Sequence, residues 1–484
     1  MDGKNYRSLS VFDEADFWLI LPAALLSLLA AALFVPLELG VNVPVFIFLL
    51  YVAVFAYQGR TKSKSDRDSI YFLLIVLLAS LPFILYDTSP FRILQFALLG
   101  FFVLFQIFTM YGCRKYKHLS SECWLYDAVN AVVFMPFANV PAALKILLSS
   151  RMRTAFVILS AFVLSPALTI ALYSACGKGF AACAGAYLLG FALFTLLYFY
   201  LYGFLYGCRR ASFTDVLKKP DPEKLRRVPA WVSISVLSLF CLGCAAYILT
   251  QILYFLPVNG NMPLKSDLSE FARRGFLELC GVVLANLAVI GLSVVFTRVR
   301  SKENGRNYSK VLTALIVVLC VLSILLVAEA FLKMLLYMKV YGLTTNRIIT
   351  SVFMLGLAIV CAFIILRAFS LCMRPIRAIS IAAVTLFLLL CFADCDYLAL
   401  SYNRTAYLSG QLSGFDIDML YDCGDSIVPV MIDVYDNSTG TVKTDALRFL
   451  DNYRDTSALA GNRIRSFNIA SYNARNKYLQ WKNE

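Results

Sequence analysis

Histidine is almost missing from this chain: His118 is the only one in 484 residues. It lies in the basic run RKYKH, so a histidine triad or an imidazole-based metal site has no raw material. Charge is also scarce, at 15% of residues, where a soluble domain carries about 25%. No GxxxxGK[ST] loop occurs, which removes the usual phosphate cradle of an NTPase. Asp416, Asp418, Asp422 and Asp425 lack the glycine and distal glutamate of a calcium loop, and read instead as helix caps. These absences lead us to expect no catalytic residues of a recognisable set, no cofactor and no metal.

What the chain has is apolar residue, 60% of the total, with a mean hydropathy of +0.73. That composition defines a polytopic membrane protein. Most of the fourteen cysteines fall inside apolar runs, where cysteine serves as a small buried hydrophobe. Cys241-Leu242-Gly243-Cys244 lies in mid-run and reads as packing. Cys395 and Cys423 fall on one expected face and could pair.

Runs long enough to cross about 30 Å of hydrocarbon lie at 17–35, 42–57, 69–86, 92–112, 154–174, 181–207, 229–256, 276–297, 311–338, 349–367 and 378–395. The fold expected is therefore an all-α polytopic integral membrane protein of about eleven transmembrane helices. With Asp13, Glu14 and Asp16 just before it and no small-residue cleavage site, the first run reads as a span rather than a signal peptide. If the N-terminus is inside, the inner loops hold 27 Lys and Arg and the outer loops eight, a strong positive-inside bias. The net charge of +14 is thus a matter of topology, and no nucleic-acid partner is expected. Residues 113–153 are basic and contain an apolar stretch broken by Pro136, Asn139 and Pro141; we read them as an interfacial or re-entrant inner segment. They separate a bundle over 1–112 from a second over 154–395. Pro166 should kink the fifth span, and Gly203 and Gly207 have the spacing that lets helices approach closely.

Residues 396–484 change character. Nine basic and eleven acidic residues accompany amphipathic runs at Asp396–Leu408, Asp418–Asp422, after Asp425, Thr444–Tyr453 and Arg463–Trp481. With eleven spans this part is a small α-helical extracytoplasmic domain. Ser401-Tyr402-Asn403-Arg404 and Ser471-Tyr472-Asn473 with Arg475 form a near-repeat. The two helices either pack together or line a polar groove for a protein partner or small ligand at the outer face.

Several pieces resemble a bacterial family of multi-pass membrane proteins known as domain of unknown function 4173, with 4153 as a near relative. They are LGVNVPVF at 39–46, SPFRILQFALLG at the fourth span, SDLSEFARRGFLEL before the eighth, MLLYMKVYGLTTNRI after the ninth, and DYLALSYNRTAYLSGQLSGFDIDMLYDCGDSIVPVM in the tail. The chain departs from the family pattern at Lys339, where an acidic residue is usual, and at Ala175-Cys176, where the family has Ala-Asp. The resemblance implies a bacterial cytoplasmic-membrane architecture and no particular reaction.

Ionisable and polar groups in or beside spans are costly, which makes them candidates for function. Here these are Glu278 and Asn286 in the eighth span, Glu329 and Lys333 in the ninth, and Asp394 at the end of the eleventh. Glu329 and Lys333 are four apart and share a helix face. Three readings stay open: a sensing, signalling or accessory role through the outer helices, a transporter or flippase with a polar path past Asn286, Glu329 and Lys333, and a membrane enzyme acting on lipid-linked substrates.

Overall fold

The computed structural model describes residues 16, 18–35, 39–58, 69–87, 89–114, 124–149, 180–210, 226–255, 265–298, 310–369, 375–412, 423–460 and 467–483. Among them there is no strand. A single extended bridge joins Val228 to Thr297, closed by Val228 N donating to Phe296 O at 3.0 Å and Arg298 N to Val228 O at 2.8 Å. The chain divides into two compact units, one of Met1–Asp87, Phe91–Lys218 and Ala460–Tyr472, the other of Thr88–Pro90, Lys219–Leu459 and Asn473–Glu484.

The first unit contains α1 (Ile20–Phe34), α2 (Asn42–Gln58), α3 (Ser69–Ser80), α4 (Pro82–Leu85) and α5 (Ser89–Met110). After these come α6 (Trp124–Val129), a π turn (Asn130–Phe134), α7 (Met135–Ala138), α8 (Val140–Ser149) and α9 (Phe180–Arg210). The second unit holds α10 (Ala230–Phe255), α11 (Lys265–Phe296), α12 (Lys310–Tyr341), α13 (Thr345–Phe369) and α14 (Pro375–Phe392). It continues with α15 (Cys395–Leu408), a 3-10 turn (Asp425–Ile427), α16 (Val428–Asn437) and α17 (Thr441–Ala460). α18 spans Ile469–Asn483.

Among the described residues, eight helical stretches are long and apolar enough to cross a membrane, and Ile20–Phe34, Asn42–Tyr57 and Ser69–Leu85 are shorter apolar helices. The protein is therefore an α-helical multi-pass membrane protein. The expected fifth span at 154–174, with Pro166, lies outside the described residues, as do His118, Asp416, Asp418 and Asp422.

Tyr126–Ile146 is one of the eight, with the lowest hydropathy, 1.4. It is not a straight helix. A π turn interrupts it, Pro136 opens α7, and Asn139 sits outside the helical region at φ −97°, ψ 0°. It lies against α9 with residue numbers rising together. The Tyr200 hydroxyl donates to Val132 O at 2.6 Å. The Pro136 carbonyl occupies the space a Cβ on Gly203 would need, and a Cβ on Gly207 would come within 2.7 Å of Asn139 Nδ2 and of Met135 Cγ. Residues 132–139 and 200–207 therefore run in the same direction. The small-residue spacing marks this close approach. At the same end, Cys113 Sγ donates to Cys208 O at 3.0 Å, which brings the chain just after α5 beside the end of α9.

In the second unit α10 to α13 share an apolar core that includes Leu237, Val283, Leu319, Leu326, Met334 and Met354. Cys241 and Cys244 are buried in it, as packing predicts. α12 is 32 residues long, about 48 Å at 1.5 Å per residue. Beyond α14 a second core gathers Leu400, Ile427, Met431, Leu450, Ala474 and Tyr478. Thus α15 and α18, the two helices of the near-repeat, contribute to one apolar core. α16 starts behind Asp425 with Pro429 in its first turn. α17 runs seven residues beyond the expected Tyr453 and α18 begins six residues after Arg463. Neither Cys395 nor Cys423 is in a disulfide.

Candidate functional site

Two polar clusters occupy the second unit. The first lies among α10, α11 and α12. Asn286 is fully buried; its Nδ2 donates to Ser323 Oγ at 3.0 Å and contacts Cys244 Sγ at 3.3 Å. Ser323 in turn donates to Leu319 O at 2.7 Å. Farther along α12, Lys333 Nζ lies 2.7 Å from Glu329 Oε1, and the Tyr247 hydroxyl stands 3.5 Å from both. The Lys333 side chain is only 4% exposed and Glu329 19%. A buried ion pair holds only with good geometry and further hydrogen bonds, which here Tyr247 supplies. Asn286, Glu329 and Lys333 thus belong to one bundle interior. Glu278 does not join them; it lies eight residues before Asn286 on α11 and is exposed.

The second cluster joins α15 to the turn between α12 and α13. Gly342, just past the end of α12, has φ +78°, the left-handed residue that commonly ends a helix. Its carbonyl accepts from Arg347, whose guanidinium also lies 4.4 Å from the centre of the Tyr337 ring. Asn403 grips the next residue twice: its Oδ1 accepts from Leu343 N at 2.6 Å and its Nδ2 donates to Leu343 O at 2.8 Å. One helical turn and more toward the start of α15, the buried Asp396 accepts from Thr345 Oγ1 and from Gly424 N, the latter at 3.0 Å. Its charge sits at the N-termini of both α13 and α15, where the helix dipoles favour it. Asp394 caps α15, accepting from Tyr397 N at 3.1 Å, and also accepts from Ser426 Oγ at 3.0 Å. Burial pushes its carboxyl above the usual carboxylate range, these hydrogen bonds partly opposing the shift. Burial likewise pushes the Cys395 thiol up to about 11, so it is not a reactive thiolate.

Of the near-repeat residues, Asn403 is committed to Leu343, Arg404 pairs with Asp433, and Tyr402 is exposed. Tyr472, Asn473 and Arg475 are exposed. Since Asn403 faces inward and Asn473 outward, the repeat does not present two equivalent asparagines.

Sequence reasoning overlooked three residues. Asp396 stands beside the predicted Asp394 but was read only as a helix start. Arg92 is buried in the first unit and donates to Leu39 O, Phe83 O and Tyr86 O, with Asp87 3.4 Å away and the Phe83 ring 5.2 Å below. Asp16, fully buried, takes both Arg209 and Arg210. The signal for Arg92 was its place in SPFRIL, a base inside a motif rather than a loop. The motifs meet in space: LGVN touches SPFR through Leu39 and Arg92, and YGLTTNR touches DYLALSYNR through Leu343–Asn403 and Thr345–Asp396.

A multi-pass membrane protein, helical throughout its described residues, is the class these features define. The family model described as Domain of unknown function (DUF4153) matches residues 72–434, roughly three quarters of the chain. The chain belongs to that family. No curated protein and no solved structure matches it.

Proposed function

We propose that the protein is a bacterial cytoplasmic-membrane receptor or accessory subunit. It recognises a protein or small ligand outside the cell through residues 396–484 and passes that event to α12 and α13. The observation that carries the reading is the joint formed by Asp396–Thr345 and Asn403–Leu343. It ties the polar helices to the turn between two spans, so that a displacement of α15 moves the ends of α12 and α13. In this reading the N-terminus is cytoplasmic and 396–484 form an outer domain.

The segment 113–153 is re-entrant in the same reading. Its helix runs toward the end of α9 that lies beside Cys113, where α5 ended, so the chain comes back to the face it left. This supports eleven crossings rather than twelve, despite the length of Tyr126–Ile146.

The first experiment is labelling of a Thr439→Cys variant on intact cells with an impermeant thiol reagent. Thr439 is exposed, whereas the neighbouring Ser438 is buried. Labelling without permeabilisation is expected; protection until the membrane is opened would overturn the outer domain and the span count with it. A transporter or flippase is the second reading, favoured by the buried Asn286 and Lys333 and the half-buried Glu329 beside them. Proteoliposomes that show a proton or ion flux lost in Glu329→Gln would replace the receptor reading by this one.

A further inference from the structure

α15 has two contrasting faces. Asp396, Ala399, Leu400, Asn403 and Ala406 are buried against protein. On a helix turning about 100° per residue, Tyr397, Leu408, Ser401, Thr405, Leu398, Ser409 and Tyr402 fall in order across the opposite arc. Tyr397, Leu398, Tyr402 and Leu408 are exposed by 44, 48, 44 and 46%. The residues between them are hydroxyls, and no charged side chain falls in the arc. Arg404, at its edge, is taken by Asp433.

The position of this face is as informative as its composition. α15 starts three residues after α14 ends. Of the eighteen residues of α14 Cys391 alone is buried, so that span presents its surface to lipid. α15 is also held along its length. Asp396 and Asn403, about 10 Å apart along the axis, reach Thr345 and Leu343, which keeps the helix across the ends of α12 and α13 rather than projecting from them.

We propose that α15 is an interfacial helix, with Tyr397, Leu398, Tyr402 and Leu408 resting in the headgroup–acyl boundary of the bilayer. Tyrosine belongs at that depth because its ring is apolar and its hydroxyl wet, and serine and threonine hydroxyls suit the same wet boundary. A protein partner fits less well. Four half-exposed side chains fall short of the roughly 800 Å² per partner that a stable protein interface buries. A charge-free arc continuous with a lipid-facing span has its occupant beside it already. Tyr402 is then a lipid anchor and not part of a ligand groove. The assignment holds whichever face of the membrane carries the tail, so it stands or falls separately from the receptor reading.

The test is photocrosslinking of the full-length protein in phospholipid vesicles, with p-benzoylphenylalanine placed singly at Leu398 or Tyr402. Both positions are exposed, so the aromatic probe needs no room in a core, and either alone suffices should the other fail to fold. Leu389 on α14 serves as the lipid-facing reference and Leu447 on α17 as the solvent-facing one. The expected result is a gain of one phospholipid mass at 398 and 402, at a yield comparable to 389 and well above 447. Adducts between two copies of the chain, or a yield no higher than at 447 while 389 reacts, would overturn the proposal.

Discussion

Asn403 holds Leu343 at both backbone atoms, accepting from its N–H at 2.6 Å and donating to its carbonyl at 2.8 Å. A side-chain amide is neutral and carries both a donor and an acceptor, so it can copy a backbone pairing in this way. Replacing Asn403 by alanine removes both bonds and leaves a partly buried N–H and carbonyl without them. The expected cost is about 1–3 kcal/mol, seen as a lower unfolding midpoint in detergent micelles and faster proteolytic release of the polar helices. Asn403→Asp should also destabilise, since it keeps the acceptor but turns a carboxylate toward the Leu343 carbonyl. Wild-type midpoints for both variants would remove the joint from the structure's essential contacts.

Gly342 gives a second handle on the same turn. Its φ of +78° suits glycine, and a Cβ there would come within 2.6 Å of Asn403 Oδ1. Gly342→Ala therefore pays for left-handed backbone, about 1–2 kcal/mol, plus the clash. In an Asn403→Ala background the clash disappears and the backbone term stays. The double variant should thus lose less than the sum of the singles. Strict additivity would mean that the two residues do not meet.

Asp394 sets a pH dependence. Its folded-state carboxyl is raised by burial, so the folded protein binds its proton more readily than the unfolded chain does. The stabilisation is complete below the ordinary carboxylate value near pH ~4 and is lost as pH rises through the raised folded value. Asp394→Asn keeps an oxygen for Tyr397 N and a good N-cap but cannot ionise. A plot of unfolding midpoint against pH should therefore fall less steeply for the variant over that window. Parallel curves would assign the slope to other carboxylates.

Much of this architecture was legible from residue patterns. The limits of α12 follow from Lys310 at one end and Tyr341-Gly342 at the other, and the polar character after Asp394 announced a change of surroundings. The partnership of Glu329 with Lys333 followed from i, i+4 spacing, because the geometry of one helix contains it. What spacing could not reveal were contacts between distant segments. Asn403 and Leu343 are sixty residues apart, and Arg92 and Leu39 fifty-three. Periodicity carries no information on such pairs. The near-repeat shows the same limit: its two helices share one apolar core, but equal letters, Asn403 and Asn473, have different neighbours, so one is buried and the other exposed.

Gly203 tests the packing of α7 on α9. A methyl there must displace the Pro136 carbonyl, which is backbone and cannot swing aside. Gly203→Ala should cost about 1–3 kcal/mol through overpacking. Gly185 on the same helix, where a Cβ meets nothing within 4 Å, is the control, and Gly185→Ala is expected to leave the midpoint unchanged or slightly raised. Equal effects of the two would show that α7 does not lie against Gly203.

The last prediction separates structure from transport in the α10–α12 cluster. Lys333 and Glu329 lie 2.7 Å apart with little exposure, so removing one charge strands the other in an apolar core, at about 3–5 kcal/mol for a fully buried pair and less here because Glu329 is partly open. Lys333→Met alone should lower the unfolding midpoint sharply. Adding Glu329→Leu should recover much of that loss, since no charge is then left unpaired and two apolar side chains fill the space. If the pair serves packing alone, the double variant should also keep whatever partner response the wild type has. A wild type that shows a proteoliposome flux and a stable double variant that has lost it would instead mark the two charges as part of a conduction path, and would shift the balance from receptor to transporter. Failure of the second substitution to recover stability would show that the cost of Lys333→Met lies in lost packing of the lysine stem and not in the charge it leaves behind.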